Sequence, residues 1–493
     1  MRRHILVITL VMALALSALP FSLGSARASE ATDYIVVLAG QQAADGSFDL
    51  ALSHEAALSL IASAGGTVTA DLTGQIGVLV VESSNPLFAD VLRGSIFVEE
   101  VGQDFGWKAV PAYDEAVASG ALVNLDAGGG GPEQTEDPLE SQQWSMIQIR
   151  APEAHAIQAG WRAVDVGILD TGIDSTHLDF DDDGVVGGTT NVDCARGRDF
   201  IPLGPGVGNP DPCVDNGFHG THVAGIVAAQ ANGLGVVGVA PNVTLVPVKV
   251  CDTAGFCYAG SAVAGITYAG DAKLDVINMS FFVDDDEFLA STEFKCMDDA
   301  TQRAFRRSVE RAIQYARSQG VTPVAALGNS DTDLAHAPNG NNCDVVPAET
   351  SGVVGTMALG PLSEKAGYSN FGTGATDVAA PGGNGTTGDC TTTVLSTFPA
   401  NAYGCIQGTS MASPHATGVA ALIVSQFGVL GSDGDVKMSP TQVEAYLQST
   451  TIDIGLEGYD KCFGHGRVDA LRAVQHDTSD LLQANPLCPE YAE

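Results

Sequence analysis

From residue 137 onward, short apolar segments alternate with longer stretches of helical character. No other feature of the 493 residues limits the fold as tightly. The segments are VDVGILD (164–170), TLVPVKV (244–250), LDVINMS (274–280), VTPVAAL (321–327) and VVGTMAL (353–359). Each is almost unbroken in apolar and β-branched residues, the pattern of a strand covered on both faces. Such strands separated by helices predict an α/β fold, a parallel sheet with helices on both faces. Functional groups of such sheets gather at the carboxyl ends of the strands. No internal repeat is visible.

The first 136 residues have a different character. MRRH is basic, the next 17 residues are apolar, and Ala26-Arg27-Ala28 has the small-x-small form of a cleavage site. A signal peptide over residues 1–28 is therefore predicted, and with it an exported, secreted chain. The alternative is a single membrane anchor, since the apolar run approaches the ~20 residues that span a bilayer. Residues 29–108 follow as a small unit. YIVVL (34–38), VLVV (78–81) and residues 95–101 read as strands, and residues 54–64 and 86–93 as helices. This β-α-β-α-β order suits a small α+β sandwich, and its lack of reactive motifs suggests an accessory role. Residues 109–136 read as a protease-accessible linker, with a glycine run at 128–131, then Pro132 and several acids. Residues 137–493 form the main domain.

Charge and cysteines narrow the class further. The net charge is −37, with 22 Lys plus Arg against 59 Asp plus Glu. Nucleic acid or an anionic membrane as partner is thereby disfavoured, because both bind basic patches. The ten cysteines are even in number, and none precedes Cys194. In an exported chain they predict disulfides. Pairing neighbours gives the shortest loops: Cys194–Cys213, Cys251–Cys257, Cys296–Cys343, Cys390–Cys405 and Cys462–Cys488.

Three stretches carry chemistry. The strand VGILD ends at Asp170 and is followed by Thr-Gly, which half-buries a carboxylate as suits a group that orients an imidazole. HGTHVAGIVAA begins at His219, with small residues for close packing and a second histidine, His222. GTSMASPHATG holds Ser410 after a turn and before a helix of small residues. A serine at a helix N-terminus lies beside unpaired N–H groups that favour negative charge, although a serine needs a base to become nucleophilic. His415 cannot be that base, since five helical residues turn about 500° and leave it about 140° round from Ser410. Pro414 should make the first turn irregular.

Together, DTGID, HGTHVAG and GTSMASPHATG resemble the three signatures of the subtilisin-like serine proteases, the subtilases, in that family's order of Asp, His and Ser. The resemblance covers roughly residues 137–474. It implies a subtilisin-like parallel sheet preceded by a propeptide, and a secreted serine endopeptidase made as a self-processing zymogen. Ser410 is then the nucleophile, His219 the base and Asp170 its orienting partner. Asn329, after the strand VTPVAAL and Gly328, matches the asparagine of the oxyanion hole. The unit 29–108 is similar to an inhibitory propeptide, to be removed within residues 100–136. Protein or peptide substrates and a monomeric state are expected.

The cleft departs from the family pattern. Ser280, Phe281, Phe282 and Gly328 are expected to bind substrate, yet Phe281 and Phe282 stand where many subtilases have smaller residues. Narrower pockets are predicted. The acidic run 284–287 reads first as a solvated loop and second as a preference for basic side chains. A Cys251–Cys257 clip would stiffen the opposite cleft strand. Calcium is the metal the resemblance implies, with Asp137, Asp179 and Asn232 as side-chain ligands and Gln230, Leu234 and Val236 offering carbonyls. Asp181 and Asp183 suit either a second ion or a turn; Thr190 at the twelfth position rules out an EF-hand. Two other functions remain open on sequence alone. One is a catalytically silent subtilase-fold binding protein, and the other a metal hydrolase using His219 and His222.

Overall fold

The computed structural model describes residues 31–43, 46–125, 137–182, 189–202, 210–283, 299–335, 344–432, 434–479, 481–483 and 488. Its main sheet has seven parallel strands. In spatial order they are Arg198–Asp199, Thr244–Lys249, Asp165–Asp170, Val276–Met279, Thr322–Ala326, Val354–Leu359 and Val378–Pro381. The five apolar segments supply the five inner strands. The two edge strands escaped notice because two and four residues are too few to show a pattern. The strand ending at Asp170 lies between those that follow it on either side, so a crevice opens at its carboxyl end.

Helices cover both faces. Ala259–Asp271 and Ala300–Ser318 bury Ala262, Ile266, Phe305, Val309 and Ile313 on one side. His219–Ala228 and Thr409–Phe427 bury Val223, Val227, Val419 and Ile423 on the other. In the last helix every residue from Thr409 to Ser425 is buried. A helix apolar all round is a central one, and its small side chains let neighbours approach closely.

The N-terminal unit is a four-stranded antiparallel sheet, in the order Gly66–Leu72, Val78–Ser83, Thr32–Leu38, Val98–Gln103. Helices His54–Ser63 and Phe88–Arg93 pack on one face through Ala57, Ile61, Phe88 and Leu92. Along Thr32–Leu38, Val36 and Leu38 join that core while Ile35 and Val37 join the core of the main domain. Period-two geometry thus explains why YIVVL is apolar at every position. Gly66–Leu72 was not anticipated as a strand. It lies at the sheet edge, and its GTVTADL sequence is nowhere fully buried.

This unit docks on helix Ala300–Ser318. Arg303 pairs with Glu100 at 3.0 Å and Arg307 with Glu99 at 2.7 Å. Arg311, whose side chain is 3% exposed, donates to the Leu38 and Ile76 carbonyls, pairs with Glu99, and lies 4.4 Å over the Phe48 ring. Asp104 accepts the Gly260 N–H at 2.8 Å, capping helix Ala259–Asp271 from outside the main domain.

Within the expected linker 109–136, the described residues 109–125 carry packed structure. Tyr113–Ala118 is helical and Leu122–Val123 pairs with Tyr403 and Gly404. Ala116 and Ala121 anchor the stretch against Phe218 and Phe398. The glycine run lies outside the described residues. Four of the five expected disulfides form: Cys194–Cys213, Cys251–Cys257, Cys390–Cys405 and Cys462–Cys488. Cys296 and Cys343 lie outside the described residues. Among the described residues no helix is long and apolar enough to cross a membrane.

Candidate active site

Asp170 ends the third strand of the seven and is 1% exposed. Its carbonyl accepts the N–H groups of Val250 and Cys251, and its Oδ1 accepts the Thr171 N–H at 2.8 Å. His219 opens its helix facing this carboxylate, with Nδ1 2.9 Å from Oδ1 and 3.0 Å from Oδ2. That pairing leaves Nε2 as the ring's free nitrogen. Gly220 permits the approach, because a Cβ there would lie 2.1 Å from the Gly172 carbonyl oxygen. Phe218, just before His219, is held at φ 72°, a left-handed value that strains a bulky residue. Its ring stacks on Phe398 at 4.8 Å.

Ser410 is the second residue of helix Thr409–Phe427. The irregular first turn expected from Pro414 is absent, and the helix runs unbroken through the proline. A helical proline lacks the N–H that would bond the carbonyl four residues back. Here that carbonyl belongs to Ser410, and the Ser280 hydroxyl bonds it instead at 2.8 Å. In return the Ser410 hydroxyl donates to the Ser280 carbonyl at 3.1 Å. Asn329 turns its Oδ1 to the N–H and hydroxyl of Thr409, both at 2.9 Å. Its Nδ2 and the Ser410 N–H lie 3.7 and 3.6 Å from a common point, the place a Cβ on Gly408 would take. Two N–H-bearing nitrogens therefore lie close together beside the serine.

The other two histidines of these motifs, His222 and His415, are scaffold. His222 Nε2 faces the carbonyls of Val394 and Gly404 at 3.2 Å, and burial pushes its imidazole down to about 3. Its Nε2 is thereby occupied, and among the described residues no cluster of three or more His, Cys, Asp or Glu could hold a metal ion. His415 Nδ1 bonds the Met411 carbonyl at 2.8 Å, and burial pushes its ring down to about 4.

Residues 162–466 match the model of the Subtilase family. The chain is 35% identical to subtilisin DY of Bacillus licheniformis over 327 residues, 66% of this chain and 96% of that protein. It is 32% identical to subtilisin Savinase of Lederbergia lenta over 336 residues, 68% of this chain and all of that protein. The chain belongs to the subtilase family. Among solved structures, the epidermin leader peptide processing serine protease of Staphylococcus aureus superposes with a TM-score of 0.65 at 19% identity. That match covers 91% of this chain and 98% of the other. This subtilase is a serine endopeptidase, a hydrolase that acts on proteins or peptides.

Within the subtilase cleft, Ser280 is fully buried and its hydroxyl serves the Ser410 helix, while its carbonyl faces the serine. Phe281 is 1% exposed, with its ring 6.1 Å from that of Trp107. Phe282 reaches across to Gly328, its Cδ2 3.5 Å from where a Gly328 Cβ would stand. The acidic run 284–287 lies outside the described residues. On the opposite side, Gly106–Lys108 pairs antiparallel with Phe256–Tyr258, the strand clipped by Cys251–Cys257. The Ala109 and Val110 N–H groups share the Gly255 carbonyl at 3.0 and 3.3 Å, and Tyr113 rests 6.3 Å from Phe218. The chain thus passes from the neighbour of Ser280 to the neighbour of His219.

The residues expected to hold calcium meet at the loop 230–236. Asp137 Oδ1 accepts the N–H groups of Asn232, Gly233 and Leu234. Asp179 accepts the Val236 N–H and the Tyr403 hydroxyl, and burial, with Asp137 beside it, pushes its carboxyl up to about 8. Asn232 donates to the Leu178 and Asp181 carbonyls, and its Oδ1 accepts the Leu234 N–H. The Gln230 side chain bonds Arg162 and the Phe180 carbonyl, which leaves only its main chain for a metal. Two buried carboxylates from separate segments meet here, hard oxygen donors of the kind calcium takes, and in this structure their oxygens accept the loop's N–H groups. Asp183 lies outside the described residues.

Two polar residues were missed by motif reading. Asn278 donates to the Ser280 hydroxyl and accepts from Ser413 and Thr417, tying the cleft strand to the serine helix. Asp215 sits four residues before His219. A lone Asn in a strand and a lone Asp in a loop carry no spacing signal.

Proposed function

We propose that Asp170, His219 and Ser410 act as a catalytic triad that hydrolyses peptide bonds through an acyl-enzyme. The Ser410 hydroxyl turns about χ1 from the Ser280 carbonyl to His219 Nε2, gives up its proton and attacks the scissile carbonyl. Asp170 holds the imidazole in the tautomer with Nε2 free and stabilises the imidazolium that forms. The Ser410 N–H and Asn329 Nδ2 receive the developing oxyanion. His219 then protonates the leaving amine, and water repeats the sequence on the acyl-enzyme. The observation that carries this reading is the two-oxygen Asp170–His219 pairing at 2.9 and 3.0 Å, together with a helix-start serine whose N–H nitrogen lies near Asn329 Nδ2.

The same reading makes residues 29–108 a propeptide, with the segment 106–113 blocking the cleft until it is removed. It makes residues 1–28 an export signal for a secreted, monomeric enzyme. Calcium, held by Asp137, Asp179, Asn232 and carbonyls of 230, 234 and 236, supports the fold and takes no part in the chemistry. Chelation then lowers heat resistance before it lowers turnover. The deciding experiment compares wild type with Ser410→Ala for precursor size and casein digestion. An alanine variant that matures by itself and digests casein overturns the triad.

A further inference from the structure

We propose that Asp215 is a positioning residue for the catalytic pair, a buried carboxylate that locks the Asp170 segment and the His219 helix into one frame. The proposal rests on the triad reading above. Asp215 is 3% exposed and receives five hydrogen bonds. Its Oδ1 accepts the Thr171 hydroxyl at 2.9 Å, the Gly217 N–H at 2.8 Å and the Phe218 N–H at 2.9 Å. Its Oδ2 accepts the Thr221 N–H at 2.9 Å and the Thr221 hydroxyl at 2.7 Å. Thr171 follows Asp170 directly, while Phe218 and Thr221 flank His219 in the chain.

The two threonines extend the lock. The Thr171 hydroxyl, having donated to Asp215, accepts the Gly220 N–H at 2.9 Å. The Thr221 hydroxyl likewise accepts the Asp174 N–H at 2.9 Å. The residues on both sides of His219 are thus tied to the turn that carries Asp170. Phe218 needs such a tie, because its left-handed backbone is strained and its N–H is fixed by Asp215. Strain of this kind persists only where the surroundings over-determine it.

The residue type follows from the partners. All five groups donate, so the site calls for an acceptor at both oxygens. The buried Lys249 ammonium, donating to the Val214 carbonyl at 3.1 Å, supplies opposite charge next to it. Burial pushes the Asp215 carboxyl up, and the hydrogen bonds of Thr221 and Thr171 act against that. Asparagine has the same shape, but its NH₂ would face donors on one side. The frame would then relax by up to about 1 Å at His219, and a misplacement of that size costs ~10²-fold in rate.

The test uses the full-length chain, with any variant that fails to mature activated by a trace of wild type. Rates are divided by active sites titrated to completion with a serine-directed phosphonylating reagent. Asp215→Asn is expected to lose about 10²-fold in kcat with KM within about twofold. Thr171→Val is expected to lose about tenfold, and Thr171→Ser, which keeps the hydroxyl, to regain most of it. A purely structural role would lower melting temperature and active-site yield but leave kcat per active site untouched, which overturns the proposal. Equal kcat for Thr171→Val and Thr171→Ser overturns it as well. Should Ser410→Ala match wild type, the triad itself fails, an outcome distinct from an Asp215 variant of normal kcat.

Discussion

Ser280→Ala tests how the serine helix tolerates a proline in its second turn. Pro414 has no N–H for the Ser410 carbonyl, and the Ser280 hydroxyl, 2.8 Å away, bonds that carbonyl instead. The same hydroxyl accepts the Asn278 amide at 2.8 Å. Alanine at 280 strips both groups of this partner in a buried setting. A buried polar group left unpaired costs about 1–3 kcal/mol, so the pair costs about 2–6 kcal/mol. One kcal/mol moves the melting temperature of a 150–250-residue domain by about 2–4 °C, and of a larger one by less. A fall of roughly 3–9 °C is expected.

Pro414→Ala restores an N–H at the right place in the helix. Combined with Ser280→Ala, it should recover about 1 kcal/mol by bonding the Ser410 carbonyl. Proline also stiffens the unfolded chain, and losing it costs a few tenths to 1 kcal/mol by itself. The readout is therefore the full cycle of two single variants and the double. All four chains carry Ser410→Ala to prevent self-digestion, and melting is followed by circular dichroism. Simple additivity of the two shifts, or a double variant worse than additive, refutes the link between Pro414 and Ser280.

Asn329→Ala should lower kcat by about 10²–10³ with little change in KM, a magnitude established on subtilisin, a relative, and readable by steady-state kinetics on a peptide substrate. Arg311→Ala leaves the Leu38 and Ile76 carbonyls without their buried donor, at about 1–3 kcal/mol for each buried group left unpaired, while the half-exposed Glu99 keeps Arg307. After the linker of the Ser410→Ala chain is cut, the variant's N-terminal unit should separate on gel filtration while the unsubstituted unit co-elutes. Burial pushes the Asp104 carboxyl up to about 6 in the docked state. A carboxyl raised on docking favours the protonated form, so docking should weaken as pH rises from about 4 through 6 and then level off. Asp104→Asn should flatten that profile in the same co-elution assay.

Legibility differed by element for physical reasons. Asp170, His219 and Ser410 could be picked out because each sits in a local pattern, a strand end or a helix start with glycines for close approach. The inner strands were equally plain, since burial on both faces demands apolar residues at every position. Gly66–Leu72 stayed hidden because an edge strand half open to water carries threonines and an aspartate. Tyr113–Ala118 looked like linker because its packing partners, Phe218 and Phe398, are more than a hundred residues away.

By itself the sequence determined the layered α/β architecture, the family and the reactive residue types, because these depend on periodicity and on short-range backbone demands. Only the tertiary structure decided what keeps those residues in place. The Ser280 hydroxyl on the Ser410 carbonyl, Asn278 between cleft strand and serine helix, and Asp215 across the Asp170 and His219 segments join residues far apart in the chain. Hydrogen bonding depends on position and direction within a few tenths of an ångström. Composition and spacing do not encode that; only the packed fold fixes it.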